Sequence, residues 1–164
     1  MTTHHATIEW SRAADAPFID RRYARAHRWS FDGGTVVPGS SSPHVVRAPL
    51  SDPSAVDPEE AYIAALASCH MLWFLDLASR AGFVVDAYRD AASGTMGDDA
   101  NGRTFVERVV LAPAIAFSGP KRPDDAAVAL LHESAHHHCF LANSVKSEIV
   151  HRGTWTYDAS PAIV

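Results

Sequence analysis

The chain has 164 residues, 47% hydrophobic and 20% charged, proportions of a single soluble globular domain spanning 1–164 and not of a disordered or fibrous chain. A formal net charge of -5 with no basic tract excludes a protein that holds nucleic acid by neutralising phosphates. Met1-Thr2-Thr3-His4-His5 lacks the layout of a signal peptide, and the longest apolar stretches are broken by Asp76, Arg80 or Pro113, so a cytoplasmic protein with no membrane partner is expected.

Residues 1–56 alternate short apolar pieces with breakers: Ala6-Thr7-Ile8-Glu9-Trp10, then Arg25 to Phe31, Asp32-Gly33-Gly34 and Val45-Val46-Arg47. These pieces predict strands and loops of a small antiparallel sheet. At Asp57 the pattern changes. Asp57 is a good helix cap, Pro58 suits the first helical position, and Glu60 stands where a capping box needs its acid. A helix is predicted through Ala81, with Gly82 as its C-terminal stop. Apolar residues occupy nearly every face of its first five turns, which predicts a helix enclosed by other elements.

Phe83 to Gly94 reads as one strand, and Gly97 to Gly102 as a hairpin turn into Phe105–Leu111, resuming after Pro113 as Ala114–Phe117. A second helix is predicted over Ala126–His136, with Pro123, Asp124 and Asp125 at its start. Ala142–Val145 reads as a short helix or turn, and Glu148–Tyr157 as one closing strand.

There are two cysteines, Cys69 and Cys139, with no C-x-x-C pair, so a structural disulfide is not expected in a reducing cytosol. Cys69 lies mid-helix, too far from the N-terminus for the helix dipole to lower its pKa, because that effect fades within the first turn. A reactive thiolate there needs a side-chain cation. If its oxidation produced a sulfenic acid, a second cysteine could condense with it.

Val56-Asp57-Pro58-Glu59-Glu60-Ala61-Tyr62-Ile63-Ala64-Ala65-Leu66-Ala67-Ser68-Cys69-His70 resembles the signature around the first cysteine of the OsmC/Ohr family. Gly82-Phe83-Val84-Val85 resembles that family's exit from the helix, and Cys139-Phe140-Leu141-Ala142-Asn143-Ser144-Val145 its second-cysteine segment. The resemblance covers about residues 20 to 157. It implies an α+β, OsmC-like fold with antiparallel sheets around central buried helices, built as an intertwined homodimer with active sites at the interface. It also implies thiol-dependent reduction of organic hydroperoxides, and less efficiently of hydrogen peroxide, in oxidative-stress defence. Cys69 is then the peroxidatic cysteine and Cys139 the resolving one. Glu59 matches the acid that orients an arginine against the thiolate. Arg47 is the arginine preferred, with Arg21, Arg22 and Arg28 as rivals. No bound cofactor is implied, and an external dithiol of lipoyl or thioredoxin type returns the disulfide to thiols. The chain departs from the family after the second cysteine, where Phe140-Leu141 replace the usual Pro-Val.

Two other readings stand beside this one. The same fold could bind a small apolar ligand without turnover, its cysteines merely buried. Alternatively, His132-Glu133-Ser134-Ala135-His136 satisfies H-E-x-x-H, which on a helix sets two imidazoles one turn apart for zinc, as in a hydrolase. The extended form of that motif fails at Cys139 and Ala142, and only Glu148 and His151 follow as candidate third ligands, both poor ones by sequence. No catalytic metal is therefore expected. His136-His137-His138 read as imidazoles that favour the helix C-terminal dipole.

Overall fold

The computed structural model describes residues 2–159. The chain divides into two compact units, one up to Ala61 and one from Tyr62 onward.

The first unit carries an antiparallel sheet of β1 (Ala6–Glu9), β2 (His27–Phe31) and β3 (Val36–Gly39), in that order. Val45-Val46-Arg47 is not the strand its β-branched residues predict. Val45 N and Val46 N both donate to Ser42 O, at 3.0 and 2.9 Å, and this turn takes the amides a strand would need. Gly39 has no side chain because the His27 and Trp29 rings fill the place a Cβ would take, 2.6 to 2.9 Å away.

Helix α1 (Pro58–Arg80) begins and ends as expected. Glu60 N donates to Asp57 Oδ1 at 2.8 Å, and Asp57 N to Glu60 Oε2 at 3.2 Å, which closes the capping box. At the other end Gly82 has φ +78°, a value that favours glycine. Phe83 N reaches back to Ala78 O and Gly82 N to Ser79 O, the paired bonds of a Schellman stop. The helix is not enclosed on every face. Only Leu66, His70, Phe74 and Ala78 are buried, one stripe at four-residue spacing, and Leu72 on another face stays 61% exposed. An 18-residue window of α1 is long and apolar enough to cross a membrane by length and composition, yet this stripe belongs to the protein core.

In the second unit three long strands are each interrupted once. β4 (Val84–Asp90) and β5 (Ser93–Asp98) part at Ala91-Ala92, β6 (Thr104–Leu111) and β7 (Pro113–Ser118) at Ala112, and β8 (Glu148–His151) and β9 (Thr154–Tyr157) at Arg152-Gly153. The halves fall into two sheets, β4-β7-β9 and β5-β6-β8. Along this crease Asp90 Oδ1 accepts from Ala112 N at 2.7 Å, and Arg152 N donates to Leu111 O. The sheets are mixed: β4·β7 and β5·β6 are antiparallel, whereas β6·β8 and β7·β9 are parallel. The parallel pairs need a crossover, which α2 (Asp125–His138) and a 3-10 turn (Ala142–Ser144) supply. Asp124 caps α2 by accepting from Ala127 N at 2.8 Å.

Two apolar clusters hold this unit. Phe74 and Ala78 of α1 pack with Val128, Leu131 and Ala135 of α2 and with Ile115 and Phe117 of β7. Leu66 of α1 packs with Val109 and Leu111 of β6. His70 lies between them on the same helical stripe.

Candidate functional site

Cys69 sits half-buried near the middle of α1, and Cys139 is 1% exposed at the C-cap of α2. The second helix brings Cys139 beside Cys69, close enough for the Cys69 thiol to disfavour ionisation of the Cys139 thiol, and both are free. Cys139 is held at both sides: its N–H donates to Ala135 O at 2.9 Å, and Ala142 N donates to its Sγ at 3.4 Å. Burial, followed by the neighbouring Cys69, pushes the Cys139 thiol up to about 11, so it is protonated at neutral pH.

Phe140 and Leu141, where the sequence departs from the family pattern, form the turn after Cys139. Phe140 sets its ring edge-on to Trp73, one helical turn beyond Cys69, with centroids 5.7 Å apart. The departure therefore leaves the thiols together. Of the three histidines before Cys139, His138 bonds through Nδ1 to Ser134 O at 2.8 Å and lies against Trp73, which fits a helix-terminal role.

Glu59, in the first turn of α1, has its Oε2 buried with no hydrogen-bond partner among the described residues. Arg47 lies exposed in the turns after Ser42, and its guanidinium forms no ion pair among the described residues. The structure thus does not join Arg47 to Glu59. Of the rival arginines, Arg28 already faces Glu9 at 3.4 Å, and Arg21 holds the left-handed conformation at φ 66°.

The residues that the sequence reading underweighted are histidines. His70 Nε2 meets His132 Nδ1 at 3.0 Å with the rings nearly parallel. The His151 ring lies 4.4 Å from that of His70, 5.8 Å from His132 and 5.4 Å from His136. His132, His136 and His151 line one cavity of about 540 Å³ with Asp125, Glu133 and Arg152. Burial, followed by the neighbouring imidazoles, pushes His70 down to about 3 and His151 to about 4, and burial also lowers His132. His151 looked a poor ligand by sequence because its position in the chain says nothing about where β8 lies. Its place as the last residue of β8, at the crease, brings it to α2.

The sequence profile of the OsmC-like protein family matches residues 51–152. An OsmC-like protein of unknown function from Vibrio cholerae is 45% identical, with TM-score 0.92, over 94% of this chain and 100% of its own. An organic hydroperoxide resistance protein from Elizabethkingia anophelis is 18% identical, with TM-score 0.67, over 96% and 98% of the two chains. The organic hydroperoxide resistance protein OhrB of Bacillus subtilis is 13% identical, with TM-score 0.59, over 94% and 98%. At those identities the last two share the fold alone. No curated protein matches the sequence. A profile match over most of the chain and a close structural relative covering nearly all of it agree that the chain belongs to the OsmC-like family.

Proposed function

We propose that the protein is a cytoplasmic thiol-dependent peroxidase that reduces organic hydroperoxides, and hydrogen peroxide less efficiently. The observation that carries this reading is the proximity of the Cys69 and Cys139 thiols, one partly accessible and the other buried. Cys69 as thiolate attacks the nearer peroxide oxygen. The O–O bond breaks, the alcohol leaves after taking up a proton, and the sulfur becomes a sulfenic acid. Cys139 then gives up its proton and attacks that sulfur, water leaves, and a disulfide forms. An external dithiol, of lipoyl or thioredoxin type, takes over the oxidation and restores both thiols. No bound cofactor takes part in this cycle.

Glu59 and Arg47 are the groups proposed to poise the thiolate. Glu59 has a buried carboxylate oxygen without a donor, and the Arg47 guanidinium is uncommitted while Arg28 is held by Glu9. A bidentate arginine would satisfy such an oxygen and keep a thiolate charged. The apolar face of α1 that this chain leaves open, with Leu72 61% exposed, is proposed as the contact of a homodimer.

The test is peroxide consumption with cumene hydroperoxide or hydrogen peroxide and dithiothreitol or dihydrolipoamide, for wild type, Cys69→Ser and Cys139→Ser. Wild type is expected to turn over and Cys69→Ser to lose all turnover, with Cys139→Ser stalling as a sulfenic acid under dihydrolipoamide. Turnover undiminished in Cys69→Ser, or none in wild type, sinks the reading.

A further inference from the structure

Three imidazole nitrogens, His132 Nε2, His136 Nδ1 and His151 Nε2, are buried with no hydrogen-bond partner among the described residues, and the three residues line one cavity. They come from two elements that the chain joins only through the crossover, α2 and β8. A buried polar atom without a partner costs free energy, and these three belong to neighbouring rings that one occupant could satisfy together. We propose that His132, His136 and His151 bind one late first-row divalent cation, Zn²⁺ in the first place, with His70 holding His132 from behind.

The donor set fixes the class of ion. Three neutral imidazoles suit Zn²⁺, Co²⁺, Ni²⁺ or Cu²⁺ and offer nothing that Mg²⁺ or Ca²⁺ prefers. His132 and His136 are four residues apart on α2, so their side chains rise from the same helical face. His151 supplies the third ligand from the sheet, which the H-E-x-x-H segment by itself lacks.

His70 fixes the orientation of the His132 ring. Its Nε2 bonds to His132 Nδ1 at 3.0 Å. With the shared proton on His132 Nδ1, the lone pair of His132 falls on Nε2, the free atom. Gly153 leaves room for that atom: a Cβ there would stand 3.2 Å from His132 Nε2. Among the described residues no three His, Cys, Asp or Glu side chains stand, as placed, where they could hold a metal ion, so the proposal requires His136 and His151 to turn toward His132. The His136 and His151 rings lie at 85° to each other, and His136 Nδ1 and His151 Nε2 have no hydrogen bond to lose in rotating. The cavity beside them, with Glu133 and Arg152 in its wall, leaves the fourth coordination position to water or a small anion.

The experiment titrates the chelator-treated full chain, with its thiols reduced, with Zn²⁺ and with Co²⁺. It follows metal content after dialysis, the visible Co²⁺ absorption and the melting temperature, with Mg²⁺ as the control. One Zn²⁺ per chain is expected, together with a Co²⁺ spectrum of four-coordinate nitrogen type and no effect of Mg²⁺. His151→Ala and His136→Gln, each checked for folding by circular dichroism, are expected to weaken binding at least 100-fold. His4→Ala/His5→Ala, His137→Ala/His138→Ala and Cys69→Ser are expected to leave it unchanged. No saturable binding by wild type at micromolar metal overturns the proposal. So does binding that survives His151→Ala, or that is lost with Cys69, the terminal histidines or His137 and His138. A thiol-centred site would also announce itself by sulfur-to-cobalt charge transfer in the near ultraviolet. If the histidine variants fail to fold, that wild-type Co²⁺ spectrum decides, since thiolate or all-water coordination contradicts an imidazole site. None of these readouts depends on peroxide turnover.

Discussion

His70 and His132 join the two helices of the second unit through a single 3.0 Å nitrogen-to-nitrogen contact between stacked rings, 62 residues apart in sequence. His70 is 1% exposed and stands on the buried stripe of α1 between Leu66 of one apolar cluster and Phe74 of the other. His70→Ala therefore opens a cavity and strands His132 Nδ1. The expected loss is ~2–4 kcal/mol of unfolding free energy by chemical denaturation. A loss under ~0.5 kcal/mol would show that the ring contact adds nothing to stability.

Acid should unfold the metal-free protein through the same cluster. His70 is held down to about 3 by burial and then by His151, His132 and His136, and His151 to about 4 by burial and then by His132 and His136. The unfolded chain binds these protons near pH 6.5, as ordinary histidines do (roughly 6.5). Between those values the unfolded state carries more protons than the native one, so stability present above about pH 6.5 is lost as the pH falls toward 4. Asp125, Glu133 and Arg152 also line the cavity and set its field. Urea midpoints at pH 7.5, 6 and 5 should fall in that order, with a flatter dependence in His70→Phe. Equal midpoints at all three would mean that the native protein already carries charged imidazoles.

The two thiols should differ sharply toward an alkylating agent. Cys139 is 1% exposed and raised to about 11, while Cys69 is partly accessible. At pH 8, limiting iodoacetamide is expected to modify Cys69 at least ten times faster than Cys139, as read by peptide mass mapping. Comparable rates would contradict the assignment of attacking and resolving roles.

Gly153→Ala tests how tightly the crease is built. The added methyl would meet Pro113 Cγ at 3.0 Å and both His132 Nε2 and Pro113 O at 3.2 Å. A loss of ~1–2 kcal/mol is expected, with weaker Zn²⁺ retention than wild type after dialysis. Unchanged values on both counts would show that the sheet yields there freely.

Local chemistry made the ends of α1 legible. Asp57, Glu60 and Gly82 form their caps from residues within one turn, so sequence spacing carries the whole signal. The cysteine pair was legible only through its resemblance to a family, because the contact depends on α2 returning to α1. The breaks at Ala91-Ala92 and Arg152-Gly153 escaped notice, and Phe83–Gly94 and Glu148–Tyr157 each read as one strand. Alternation continues through a bend, and the Asp90 to Ala112 bond that marks it joins residues 22 apart. Gly153 was the one local sign. The enclosure expected for α1 failed because an apolar face reports a need for cover without saying which chain supplies it. Arg47 shows a similar limit: β-branched neighbours favoured a strand, and the Ser42 carbonyl captured their amides instead.

The parallel pairing of the closing segment has a kinetic consequence. Arg108 and Glu148, partners across β6 and β8, are 40 residues apart, and the loop between them must close before their contacts can reward it. One stretch, β8 followed by β9, completes both sheets, β8 the one with β5 and β6 and β9 the one with β4 and β7. Stopped-flow refolding should then show Trp155 reaching its native environment late and in a single phase. A nascent chain would lack His151, and with it the third imidazole, until both helices and seven strands had already been made.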